Sequence, residues 1–456
     1  MRGTSGDASA DASGGPSNDA SGNAPGKAPG KASGKASGNT SATTSGSARW
    51  RRWAARLALA ACSLCAAACG ALVLAGPGST PEAVAAAPVV SPAGWQFRFL
   101  GEQRLRWRLP FQDTPVGGLS GIDYDPAADL FYLISDDRSE RAPARFYTAR
   151  LALSAAGFAG VQLQSVVFLR QADGRTWPAR PHPDAVDPEA IRFDPVRRAV
   201  LWTDEGQRSV SLLERRFGDT VLADPRLRLA DLQGGERAAF ARLPHLRMQE
   251  AEQGPRGNLT FEGLARVPGD GSLWLSMEGP LWQDGPLADA GRGALLRFTH
   301  LDGDPGARTG VLGQYAYRTD PWPQRPLLPG AFVEHGVAEI LALSATRLLV
   351  LERSYALGRG FSARLFEARV AGASDVRDLP SLAGREIRLL DKRLVFDFAS
   401  LQLPHLDNIE GMSWGPDLPG GKRTLVFVSD DNFNLFQVTQ LLAFEVAVPP
   451  DTAPQP

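Results

Sequence analysis

Apolar and polar residues alternate along most of the chain after residue 94, in short runs broken by turns. Trp95-Gln96-Phe97-Arg98-Phe99-Leu100, Arg145-Phe146-Tyr147-Thr148-Ala149-Arg150-Leu151 and Val161-Gln162-Leu163-Gln164-Ser165-Val166 all read this way. Ala294-Leu295-Leu296-Arg297-Phe298 and Ser362-Ala363-Arg364-Leu365-Phe366-Glu367-Ala368 follow it less regularly. A period of two predicts strands that bury one face. One helix is expected, with weak caps, over residues 236–245.

The strands recur as a unit. Asp407-Asn408-Ile409-Glu410-Gly411-Met412-Ser413-Trp414 leads through the turn Gly415-Pro416-Asp417-Leu418-Pro419-Gly420-Gly421 to Leu425-Val426-Phe427-Val428-Ser429-Asp430-Asp431-Asn432. Strand, turn, strand is an antiparallel hairpin. It brings Glu410, at the start of one strand, to the same edge as Asp430 and Asp431, at the end of the next. Upstream copies open at Ser120, Glu189, Glu262 and Glu339, so the steps to Glu410 run 69, 73, 77 and 71 residues. The second strands end in Asp136, Asp204, Glu278, Glu352 and Asp430. Each repeat has room for about two more strands, the content of a four-stranded propeller blade. The expected fold is therefore all-β, a β-propeller of five repeats, with room for a sixth, degenerate blade between residues 208 and 257. The last repeat lacks a strand, which residues 95–107 would supply. Closing the ring in this way removes exposed sheet edges.

The propeller accounts for residues 88–450 of 456. Residues 1–48 are rich in Gly, Ser and Ala without apolar periodicity and are expected to be a disordered tail. Residues 49–87 combine the basic flank Arg49-Trp50-Arg51-Arg52-Trp53, an uncharged apolar run over 57–75, and Ala85-Ala86-Ala87 as a cleavage site. That is a signal peptide or a membrane anchor. Either one predicts an exported, periplasmic or secreted domain, with membrane contact only through this segment. All three cysteines, Cys62, Cys65 and Cys69, lie in the apolar run. The propeller then has no disulfide, no thiolate nucleophile and no cysteine-bound zinc. A net charge of −1 argues against a nucleic-acid partner. The five histidines show no metal-ligand spacing, and the absence of a G-x-S-x-G elbow leaves a serine-hydrolase mechanism unsupported.

The motifs also carry a resemblance. Gly117-Gly118-Leu119-Ser120-Gly121-Ile122, Ser135-Asp136-Asp137-Arg138, Phe261-Glu262-Gly263-Leu264, Glu278-Gly279-Pro280-Leu281, Leu351-Glu352-Arg353, Asp407-Asn408-Ile409-Glu410-Gly411 and Ser429-Asp430-Asp431-Asn432-Phe433 stand in one order. Together they resemble the phytase-like family, also called the esterase-like activity of phytase family, over residues 95–447. The resemblance implies a β-propeller and the hydrolysis of a phosphate ester or another ester, with a small-molecule substrate.

The residues suggest how. Glu189, Glu262, Glu339 and Glu410 would line a central channel, and Asp136, Asp204, Glu278, Glu352 and Asp430 would crowd the same mouth. Like charges this close raise one another's pKa values unless a cation neutralises them. Oxygen ligands without Cys or clustered His favour Ca²⁺, or Mg²⁺, over zinc. Such an ion would polarise a phosphoryl oxygen. Arg138 and Arg353 follow the acidic ends directly and would grip phosphate oxygens as charged forks. Asn408 and Asn432 would add carbonyl ligands.

Plainer readings fit the same residues. A carboxylate at a strand end often accepts turn amides, and an arginine beside an acid is commonly just its ion-pair partner. Two alternatives to a phosphoesterase therefore stand: a non-catalytic propeller that binds a ligand or protein around a structural cation, and a metal-dependent lactonase or esterase.

Overall fold

A computed structural model describes residues 88–210, 220–240, 243–304 and 310–451. The expected tail (1–48) and leader (49–87) lie outside these. Among the described residues no helix is long and apolar enough to cross a membrane.

Five antiparallel sheets form the blades of a propeller, each with four main strands, the fifth adding the two-residue strand Val89–Val90 at its outer edge. Blade 1 runs Leu119–Asp125, Leu130–Ser135, Arg145–Ser154 and Gly157–Phe168. Blade 2 is Pro188–Asp194, Ala199–Asp204, Arg226–Asp231 and Glu236–Ala239. Blade 3 is Phe261–Arg266, Leu273–Met277, Leu295–Leu301 and Val311–Arg318. Blade 4 is Val333–Ser344, Arg347–Ala356, Gly360–Arg369 and Asp391–Asp397. Blade 5 takes Asn408–Leu418, Lys422–Asp430 and Thr439–Ala447, and is completed by Gln96–Leu105 from the beginning of the domain. That last pairing runs from Gln96 opposite Ala447 to Leu105 opposite Thr439. The ring is closed as the incomplete last repeat predicts.

The first strand of each blade touches the first strand of the next, around the full ring. These five inner strands line the axis. Five apolar cores fill the gaps between blades. Phe97, Phe396, Phe427 and Phe444 pack between blades 4 and 5, and Leu133, Tyr147, Val428 and Leu441 between blades 5 and 1. Trp202 and Phe146 pack between blades 1 and 2, Leu201 and Leu275 between 2 and 3, Trp274 and Val350 between 3 and 4. The alternation puts every second residue of a strand into one of these cores.

Two expectations fail. Residues 236–239 are not helical: Glu236–Ala239 pairs with Arg226–Asp231 as the outer edge of blade 2, and only a short 3₁₀ turn, Pro244–Leu246, follows among the described residues. Sheet pairing satisfies the backbone there and overrides a weakly capped helix. Nor do the described residues of 208–257 form a sixth blade. The described residues there supply the outer half of blade 2 and a two-stranded ribbon, Gln207–Ser209 with Val221–Ala223.

Candidate functional site

Every inner strand breaks register near its start. The unpaired residue is Ser120 in blade 1, Glu262 in blade 3, Ala338 in blade 4 and Glu410 in blade 5. In blade 2 the break spans Glu189 and Ala190, opposite Thr203. A bulge of this kind turns one side chain out of the regular ladder. It aims Glu189, Glu262 and Glu410 into the mouth of the axis. The glycine that follows the bulged residue in blades 1, 3 and 5 has a steric cause. A Cβ on Gly121 would sit 2.6 Å from the Glu189 carbonyl, because neighbouring inner strands approach so closely.

The mouth opens into a cavity of about 960 Å³ whose lining includes Asp136, Arg138, Glu189, Glu262, Arg353, Glu410 and Asp430. Seven of the eleven predicted site residues thus share one cavity, and an eighth, Glu278, adjoins it through Arg353. Glu189 and Glu262 are buried, and neither carboxylate has a hydrogen-bond donor among the described residues. Burial pushes both well above the usual carboxylate range. Glu262 reinforces the rise at Glu189, and Glu278 reinforces it at Glu262. Asp430 is raised by burial and by Asp136 and Glu410. Burial also pushes Asp136 to about 8, against the pull of Arg138.

Arg353 is the hub of the acidic wall. Its Nη1 donates to Glu334 at 2.6 Å, and its Nη2 donates to Glu278 and Glu410, both at 3.0 Å. Asn408 Nδ2 donates to the same Glu410 oxygen at 2.8 Å. Asn408 Oδ1 is buried without a partner. Arg138 Nε donates to Asp187 at 2.7 Å and its Nη2 to Asn258 at 2.8 Å. Both arginines have carboxylate partners, as the plainer reading expects. Among the described residues Arg138 Nη1 has no hydrogen-bond acceptor, which leaves it available to a further anion.

Three predicted residues stand elsewhere. Asp204 accepts from Arg228 at 2.9 Å and from the amides of Asp187 and Gly206. Its neighbour Glu205, just past the strand end, instead accepts from the Thr260 amide at 2.8 Å and lies beside Glu189 and Glu262. Glu352 accepts from Tyr317, Lys392 and the Asp320 amide. Despite burial, His335 and Lys392 hold it below the usual range. Glu339 is one residue out of step. The blade-4 bulge falls on Ala338, so Glu339 occupies the position that glycine takes in blades 1, 3 and 5. Its carboxylate reaches into the axis and pairs with Arg192 at 2.6 Å.

Sequence reading missed Asp187, Glu205 and Glu334. Glu205 is the more telling omission. Ligand oxygens of Asp187, Glu189 and Glu205 all lie within 4.8 Å of one another, and so do those of Glu205, Glu262 and Glu278. Burial and the charge of Asp187 push Glu205 up to about 8. The doublet Asp204-Glu205 was the available signal, but choosing its second member required the contacts made beyond the strand end.

The fold and mouth define a five-bladed β-propeller with an acidic axial site. The chain belongs to the phytase-like family, whose profile, described as esterase-like activity of phytase, matches residues 114–433. Solved structures that match the chain include a Thermus thermophilus protein described as a putative oxidoreductase of glucose dehydrogenase type. It is 18% identical, with 79% of this chain and 96% of that one covered and a TM-score of 0.30. A Xanthomonas campestris gluconolactonase is 13% identical over 81% of this chain and 99% of its own, with a TM-score of 0.32. A Podospora anserina α-L-arabinofuranosidase is 11% identical over 78% and 98%, with a TM-score of 0.37. No curated protein matches significantly.

Proposed function

We propose that the axial mouth holds a divalent cation, Ca²⁺ in first place and Mg²⁺ in second, and hydrolyses a small phosphate ester. One observation carries the reading: two groups of three buried carboxylates share Glu205, with ligand oxygens within 4.8 Å in each group. Asp187 is held by Arg138 and Arg180, and Glu278 by Arg353, but Glu189 and Glu262 have no cationic partner among the described residues; buried acids of that kind are costly unless they are protonated or bound to a cation. The donor set is all hard oxygen, which suits Ca²⁺ or Mg²⁺. Asp187, Glu189, Glu205, Glu262 and Glu278 would hold the ion, and Asn408 Oδ1 is a further buried oxygen without a donor. When bound, the ion supplies Lewis-acid polarisation of an ester oxygen.

The chain's own residues do the rest. Arg353 orients Glu278 and Glu410 by donating to both. Arg138, with Nη1 open, grips a non-bridging phosphate oxygen as the ester enters. The closed inner ring behind the mouth, plugged by Arg192, restricts entry to the open cavity. Water adds to phosphorus, the bond to the alcohol oxygen breaks, and a proton ends on that oxygen.

A second reading has its own support. The cavity lining carries six carboxylates, Asp136, Glu189, Glu262, Glu334, Glu410 and Asp430, against three guanidiniums, Arg138, Arg353 and Arg359. That excess favours an uncharged ester or lactone wherever the cation does not offset it. Phosphate release from p-nitrophenyl phosphate or phytate, abolished by chelator and restored by Ca²⁺, supports the first reading. Cation-dependent lactone opening without phosphate release supports the second. Turnover of neither, with a chelator-sensitive melting temperature, leaves a binding propeller with a structural ion. We further infer export from the apolar leader; a fusion of residues 1–87 to a reporter active only outside the cytoplasm tests it.

A further inference from the structure

The cavity lining carries two kinds of surface. Acids contributed by all five blades, Asp136, Glu189, Glu262, Glu334, Glu410 and Asp430, surround the mouth. Blade 4, the segment after it and a loop of blade 5 also bring apolar side chains to the lining: Phe332, Tyr355, Phe361, Leu403, Leu406 and Phe436. Tyr355 packs at a tilt against Phe361 at 4.8 Å and Phe332 at 6.3 Å, ring centre to ring centre. It lies two residues beyond Arg353 on the same strand and so on the same face, about 7 Å along it, opposite Glu334, whose carboxylate Arg353 holds. Phe332 is 60% exposed and Phe436 81% exposed, both on the cavity wall. Large aromatics left in water around a concave site mark a surface that binds something. A phosphate group alone fills only a small part of a cavity of about 960 Å³.

We propose that the substrate is amphiphilic, with its ester head at the acidic mouth and an apolar group lying between Tyr355 and Phe436. The chemistry of the head rests on the hydrolytic reading above; the apolar half rests on the cavity itself. Continuity of the two surfaces in one cavity makes a single ligand their occupant. Each methylene buried against the aromatic wall strengthens binding about fourfold. A polar polyphosphate such as phytate leaves the apolar surface in water.

Methyl phosphate and octyl phosphate, the latter below its micelle threshold, are titrated calorimetrically into the Ca²⁺-loaded protein and assayed in parallel for phosphate release. The expected result is at least tenfold tighter binding of octyl phosphate. A Phe332→Ser, Phe436→Ser double variant reduces the preference below threefold. Both side chains are exposed, and an unchanged melting temperature verifies the fold. Equal affinities, no binding of either phosphate, or a preference untouched by the double variant overturns the inference. So does binding to neutral phosphatidylcholine vesicles without a preference for soluble octyl phosphate, which would make the rim a membrane contact. Tight octyl phosphate binding without turnover upholds the amphiphilic site and removes the hydrolytic reading. Turnover with no dependence on chain length does the reverse.

Discussion

Arg192 and Glu339 meet on the propeller axis, Nη2 to Oε2 at 2.6 Å, both buried. Arg192 Nη1 also donates to the carbonyls of Ile122 and Ile191, and its Nη2 to those of Ile340 and Met412. Glu339 Oε1 accepts from the Leu264 and Ile340 amides. One ion pair therefore ties inner strands of all five blades together. Burial alone pushes Glu339 to about 7, although Arg192 opposes the rise.

Arg192→Met leaves the Glu339 carboxylate and several carbonyls unpaired in the axis. Removing one partner of a buried pair costs about 3–5 kcal/mol. The Arg192→Met, Glu339→Gln double variant is expected to recover part of that loss. Urea unfolding of the wild type, the two single variants and the double variant measures the coupling. A double variant no more stable than Arg192→Met refutes the pairing.

Glu262→Gln removes a buried carboxylate that has no donor. In chelator the variant is expected to melt at or above the wild-type temperature, because a repulsive charge is gone. In Ca²⁺ it is expected to lose the stabilising shift, and any hydrolysis falls at least about 100-fold. Differential scanning fluorimetry with and without Ca²⁺, beside the activity assay, reads both. A variant destabilised in chelator contradicts the assignment.

Asp204→Asn separates the two members of the doublet. Asp204 pairs with Arg228 and two amides, away from the mouth. Its loss is expected to cost about 1–3 kcal/mol of stability while the Ca²⁺ response is kept. Glu205→Gln is expected to abolish the Ca²⁺ response. Calcium titrations of the two variants decide; the opposite pattern would exchange their roles.

Stability of the cation-free protein is expected to fall as pH rises. Burial lifts Asp136 and Glu205 to about 8 in the folded state, while unfolded carboxyls titrate near about 4. Between those values the folded chain binds more protons, so stability declines with pH. The contribution of these groups is complete below about pH 4 and lost above about pH 8. Melting temperatures in chelator from pH 5 to 8.5 check the slope. Added Ca²⁺ is expected to raise the melting temperature most at the alkaline end, and a flat chelated profile contradicts the electrostatic account.

Deleting the strand Gln96–Leu105 opens blade 5 along Thr439–Ala447. An unpaired hydrophobic edge recruits other chains. Aggregation on size-exclusion chromatography is the expected outcome; a soluble, folded monomer argues against closure by this strand.

Much of this was legible in the residues. Alternation placed most of the strands, the repeated hairpin gave five blades, and the short last repeat pointed to residues 95–107 as its missing strand. The acids Glu189, Glu262 and Glu410 and the strand ends Asp136 and Asp430 could be grouped because repeats occupy equivalent places around a ring. The same logic misplaced Glu339, since the blade-4 motif is offset by one residue and repeat spacing cannot register so small a shift. It also chose Asp204 over Glu205.

A linear pattern with period two determines which segments pair and how often the unit returns, because those depend on local chain geometry and burial. It does not determine which of two neighbouring side chains a bulge turns toward the axis. That choice, the Arg192 plug and the joining of acidic and aromatic walls in one cavity arise only when inner strands from five distant segments converge. Contacts over such separations leave no local trace in the chain, and only the assembled ring decides them.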